Sequence, residues 1–131
     1  MPEFFKNHWK SITWAVFIFI LCGIPGNQIS KVKIIDIPHF DKIVHFSFYF
    51  TFTLLLISEN NSQKLQQKAT IKAILIAGVI SISYGILIEI LQKLVFINRG
   101  AEIWDVVANA FGFILATLSY RLVNRITRGY I

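Results

Sequence analysis

The chain has 131 residues, 55% of them hydrophobic and only 15% charged, with a formal net charge of +6 and a mean hydropathy of +0.61. An ordinary soluble domain carries roughly a quarter charged residues, so this composition excludes a disordered chain, and the single Cys22 excludes a disulfide scaffold or a cysteine-held zinc or iron–sulfur centre. Four bilayer-crossing helices of about 20 residues would take roughly 80 positions and leave no room for a separate soluble catalytic domain. The expected fold is therefore all-α: residues 1–131 form one domain, an integral membrane bundle of four transmembrane helices.

The first apolar run covers residues 9–24 and is stopped by Pro25-Gly26, a strong helix breaker. It is short, and Lys10 has to snorkel, so the helix is expected to begin a few residues earlier. A cleaved signal peptide is the rival reading. Cys22-Gly23-Ile24-Pro25 makes a poor small-residue cleavage site, which favours a retained anchor. The second span, residues 42–58, is rich in Phe and carries His45 one turn inside. The hydrophilic stretch from Glu59 to Lys68 reads as a loop or interfacial segment. The third span, 71–97, holds Glu89 and Gln92 near its far end, and Asn98-Arg99-Gly100 turns the chain. The fourth, 103–123, starts beside Glu102 and Asp105 and runs into Arg121, Arg125 and Arg128.

Positive charge sets the expected orientation. Lys6, Lys10, Lys64, Lys68, Lys72, Arg121, Arg125 and Arg128 fall on one side of such a bundle. Lys31, Lys33, Lys42, Lys93 and Arg99 fall on the other. The first set is the larger, which places both termini of a multi-pass membrane protein in the cytoplasm. The basic residues are divided between tails and loops rather than gathered into one patch interleaved with aromatics, so nucleic acid is not an expected partner. Membrane lipids are.

This orientation collects the polar residues of three helices at one level, in the outer leaflet. Asp41 and His45 are spaced i, i+4, and Gly85, Glu89 and Gln92 follow a 4, 3 spacing. Glu102, Asp105, Asn109 and Gly112 follow 3, 4, 3, so each set shares one helix face. Gly85 and Gly112 would let backbones approach closely beside the cluster. The inner halves of the same helices read as almost purely apolar. A charge near the hydrocarbon centre costs about 2.5–3.5 kcal/mol on insertion scales, so these residues are expected to pair inside the bundle or to line a wet outer pocket. Taken singly, each also suits a bland role: Arg99 pairing with Glu102 or Glu89, Asn109 and Gln92 bonding across helices, Glu102 and Asp105 favoured at a helix N-terminus.

The same residues carry a family resemblance. Asp41-Lys42-Ile43-Val44-His45-Phe46 resembles the D-K-x-x-H-F opening of VanZ-like membrane proteins. Gly85-x-x-x-Glu89-x-x-Gln92 is similar to their central G-x-x-x-E-x-x-Q. Arg99-x-x-Glu102-x-x-Asp105-x-x-x-Asn109-x-x-Gly112 is similar to their closing block. Ala116 stands where that family often has a further Gly. The resemblance, from Asp41 to about Ala116, implies a small polytopic protein of the bacterial cell envelope. The family's namesake is associated with resistance to the glycopeptide teicoplanin.

Three functional readings follow. In the first, an outer pocket made of Asp41, Lys42, His45, Glu89, Gln92, Arg99, Glu102, Asp105 and Asn109 binds an envelope lipid, a lipid-linked wall precursor or a glycopeptide-type ligand. Arg99 and Lys42 would hold its anionic part. In the second, the protein is a membrane-embedded enzyme acting on such a lipid, with His45, Asp41, Glu89 and Asp105 as the candidate acid/base groups. In the third it is a structural or partner-binding subunit. No cofactor is called for. A metal held by His45, Glu89 and Asp105 is a weaker reading than a metal-free site. Oligomeric state is not legible in the sequence.

Overall fold

The structure, a computed structural model, describes residues 3–24, 39–61, 68–95 and 102–129. They form four helices: α1 Glu3–Cys22, α2 Phe40–Asn60, α3 Ile71–Leu94 and α4 Ile103–Ile126. The outward faces are apolar, with Leu75, Val79, Phe111, Leu118 and Leu122 among the exposed side chains, whereas His45, Glu89, Gln92, Asp105 and Asn109 are buried. A polar interior inside an apolar coat suits hydrocarbon as the solvent.

Helix α2 lies at the centre and packs most extensively against α4, then against α3 and α1. Its buried residues His45, Tyr49, Phe52, Leu56 and Ile57 recur at helical spacing, as do Asp105, Asn109, Gly112, Ala116, Tyr120 and Asn124 on α4. The two helices touch backbone to backbone at Gly112. A Cβ there would lie 2.6 Å from the Phe46 carbonyl oxygen and 2.8 Å from the Phe50 nitrogen. Gly85 differs from the sequence expectation. A Cβ on it would meet the side chains of Asn109 and Tyr49 at 3.1 and 3.3 Å, so this glycine makes room for side chains rather than for a neighbouring backbone. Thr53 and Ser81 join α2 to α3 through a buried hydroxyl pair at 3.2 Å.

Three helices, α2, α3 and α4, are long and apolar enough to cross a membrane. Helix α1 begins well before residue 9 and is broken at His8, where φ is −119° and ψ 17°. Its uncharged part, residues 11–22, rises about 18 Å at 1.5 Å per residue, less than the roughly 30 Å of a hydrocarbon core. Side chains of its neighbours hold it in place. The break frees the backbone N–H groups of Lys10 and Ser11, and both donate to Glu59 Oε1, at 3.0 and 3.2 Å. His8 Nδ1 stands 3.6 Å from the other Glu59 oxygen. Trp14 Nε1 donates to the Phe48 carbonyl at 3.0 Å, the Tyr84 hydroxyl to the Ala15 carbonyl at 2.6 Å, and Gln92 Nε2 to the Cys22 carbonyl at 3.4 Å.

The segment read as a loop from Glu59 is helical through Asn60. Asn61 then ties the end of α2 to the start of α3, donating to the Lys68 carbonyl at 2.9 Å and accepting from the Thr70 N–H at 3.3 Å. Lys6, His8, Lys10, Ser58, Glu59 and Gly129 line one polar cavity, so both ends of the described chain meet at one end of the bundle. Buried Ser58, Asn61 and Asn124 lie on the halves of α2 and α4 nearest that end. Those halves are less uniformly apolar than the sequence suggests. The sequence-derived cluster occupies the opposite end.

Candidate functional site

The opening turns of α2 and α4 and the last turns of α3 bring the site together. Its floor consists of His45, Glu89, Asp105 and Asn109, each about 95% buried. His45 Nδ1 lies 3.2 Å from Asn109 Oδ1 and 3.8 Å from Glu89 Oε1. His45, Glu89 and Asp105 each offer a ligand atom, and these atoms all fall within 4.8 Å of one another. Among the described residues neither carboxylate oxygen of Glu89 makes a hydrogen bond of normal geometry.

The rim is built around Lys42. Its Nζ contacts the carboxylates of Asp41 and Glu102 and lies 3.0 Å from Asp105 Oδ1. The outer two carboxylates are open, the Asp41 side chain 43% exposed and that of Glu102 56%. Lys42 therefore already sits among three carboxylates. Asp41 faces Lys42, while His45 Nδ1 faces Asn109 and Glu89, so the expected Asp41–His45 couple gives way to a His45–Asn109–Glu89 arrangement. Gln92, counted with the pocket from its spacing, is buried against α1, where its amide nitrogen holds the Cys22 carbonyl. Arg99 lies outside the described residues.

Beside the floor, Tyr49, Ser81, Gly85 and Asn109 line a crevice of about 70 Å³ between α3 and α4. Among the described residues the Tyr49 hydroxyl and Asn109 Nδ2 are both without a hydrogen-bond partner. Hydroxyls nearby are committed elsewhere: Ser47 bonds to the Ile43 carbonyl at 2.8 Å and Ser81 to Thr53. Neither is set up as a nucleophile by His45.

The comparison with protein families bears directly on these residues. The model of the VanZ/LLP1 family matches residues 2–124, a stretch that includes α1 to α3, α4 as far as Asn124, and the described part of the cluster. The chain belongs to the VanZ/LLP1 family. Comparison with curated proteins and with solved structures gave no match. In this VanZ-like protein the three sequence blocks, far apart along the chain, meet at one end of the bundle. His45 from the first faces Glu89 from the second, and Lys42 and Asn109 join the first to the third. One polar locus was not anticipated: His8 and Glu59 at the opposite end. The only sequence signal for it is an acidic residue directly following the apolar run of α2.

Proposed function

We propose that this VanZ-like membrane protein binds the head group of an envelope amphiphile at its carboxylate rim, with the rim facing outward. Both termini would then lie in the cytoplasm and α1 would serve as a fourth, bundle-supported span of the bacterial inner membrane. The observation that carries the reading is the contrast between rim and floor. Asp41 and Glu102 are half open to the surroundings, whereas the residues beneath them are closed off. Because Lys42 is already held by carboxylates, the rim favours the ammonium or other cationic part of a ligand. Arg99, three residues before Glu102, is the group to receive a phosphate. A zwitterionic phosphate–ammonium head group meets both demands, whether on a membrane lipid or a lipid-linked wall precursor.

The test is native mass spectrometry of the protein in mixed micelles that offer phosphatidylethanolamine, an uncharged diacylglycerol and teicoplanin as probes. Selective retention of the phosphate–ammonium lipid, lost in Arg99→Ala and in the Asp41→Asn/Glu102→Gln double variant, supports the reading. Selective retention of teicoplanin would redirect it to a glycopeptide ligand and link the protein to glycopeptide resistance. Retention without selectivity would overturn it. A second reading, acid/base catalysis on such a lipid, draws its support from the buried approach of His45 to Glu89, the geometry a proton-transfer pair needs.

A further inference from the structure

We propose that His45, Glu89 and Asp105 form a site for one divalent transition-metal ion of the Zn²⁺ type, beneath the rim. Three helices each contribute one side chain, and all three side chains are buried. Their ligand atoms lie within 4.8 Å of one another. Two tetrahedral donors about 2.1 Å from an ion are about 3.4 Å apart, so side-chain rotations that draw these atoms in by about an ångström close the set.

Glu89 supplies the independent observation. Its side chain is 7% exposed and aimed into the cluster, where it faces the His45 ring at 3.8 Å and the Glu102 backbone, yet among the described residues neither oxygen makes a hydrogen bond of normal geometry. A buried carboxylate in that condition is costly unless paired or coordinating a metal. Lys42 does not meet the need, because its ammonium sits among Asp41, Glu102 and Asp105. That trio also has metal-ligand spacing, and the place a cation would take there is already filled by the lysine. The floor has the same kind of demand and no such occupant among the described residues.

The donor set narrows the ion. An imidazole with two carboxylates suits zinc and its first-row neighbours better than calcium or magnesium, which prefer all-oxygen shells. Glu89 and Asp105 would meet the ion's charge, Asp105 being shared with Lys42. Three protein donors leave at least one position open, as in sites where a metal meets water or a ligand. The open position would face the rim.

The proposal stands apart from the head-group reading, because its test uses no lipid ligand. The full chain, carrying no histidine tag, is stripped with chelator in mild detergent and titrated with Co²⁺ as a spectroscopic probe, then with Zn²⁺ in competition. One Co²⁺ per chain with a visible absorption band is expected, displaced by Zn²⁺, with at least about tenfold weaker binding in Glu89→Gln and His45→Gln. His8→Gln, at the other end of the bundle, should bind as the parent does. Where a variant fails to fold, the parent alone decides: its thermal midpoint should rise with saturating Zn²⁺ and not with Mg²⁺. The absence of stoichiometric Co²⁺ binding would overturn the site, and so would binding unchanged in both floor variants or a midpoint that does not move.

Discussion

Glu89 sits near the end of α3 with its carboxyl group inside the bundle and, among the described residues, no hydrogen bond of normal geometry to either oxygen. A buried polar group without a partner costs about 1–3 kcal/mol, and a charged one more. Exchanging the carboxylate for an amide of the same shape removes the charge and leaves the packing. With chelator present, Glu89→Gln is therefore expected to raise the thermal midpoint in mild detergent by a few degrees. A clear fall would show that the carboxylate has a stabilising partner. Residues such as Glu89, Asp105 and Asn109 are legible from sequence because burial in a bundle follows the 3–4 spacing, and a polar residue on such a face has to have a reason to be there. Partners are less legible. Asp41 and His45 share a spacing, yet the lysine between them takes the aspartate. Gln92 shares Glu89's spacing, yet its amide is drawn to the last carbonyl of α1. The choice depends on where other helices end, and a one-dimensional spacing does not contain that.

Helices pack here through a few positions with no slack. Gly112 is pressed against the backbone of α2, which cannot rotate away, so Gly112→Ala should cost about 1–3 kcal/mol through overpacking. Gly78 makes a useful control. A Cβ there would meet only the Phe113 ring, at 3.1 Å, and an aromatic side chain can move by a few tenths of an ångström. Alanine also improves helix propensity by about 0.8–1 kcal/mol, so Gly78→Ala should be close to neutral. Unfolding of both variants in a denaturing detergent series checks the pair, and equal losses would contradict the assignment of Gly112 as the fixed crossing point. The starts of α3 and α4 stand where the apolar runs predict, because apolar periodicity governs both the sequence signal and the burial. The break in α1 and the last turn of α2 escape a reading of the sequence for one shared reason. Glu59 looks like the start of a hydrophilic loop, but it satisfies backbone groups released by a break 51 residues earlier in the chain. Trp14 likewise lies within an apolar run that gives no sign of a polar partner, and in the fold it bonds to the Phe48 carbonyl.

At the scale of the molecule, the two polar loci are divided between the ends. His8 and Glu59 share one end with the close of α4, and the His45–Glu89–Asp105 group occupies the other. A fluorescent protein fused to the C-terminus is expected to glow, and an alkaline phosphatase fused there to be inactive, as for a cytoplasmic end. The reverse pattern would place the rim inside the cell. Helix α1 is pinned towards both ends, by Glu59 at Lys10 and Ser11 and by Gln92 at Cys22, with the Trp14 and Ala15 bonds between them. The pins are about 17 Å apart at 1.5 Å per residue. Lone membrane helices answer a bilayer of the wrong thickness by tilting. Packed beside the three spans, α1 cannot tilt without releasing a carboxylate or an amide from its backbone. The lipid has to conform instead, so the bundle carries a fixed hydrophobic height and would sort itself, or thin the bilayer around it, according to that height.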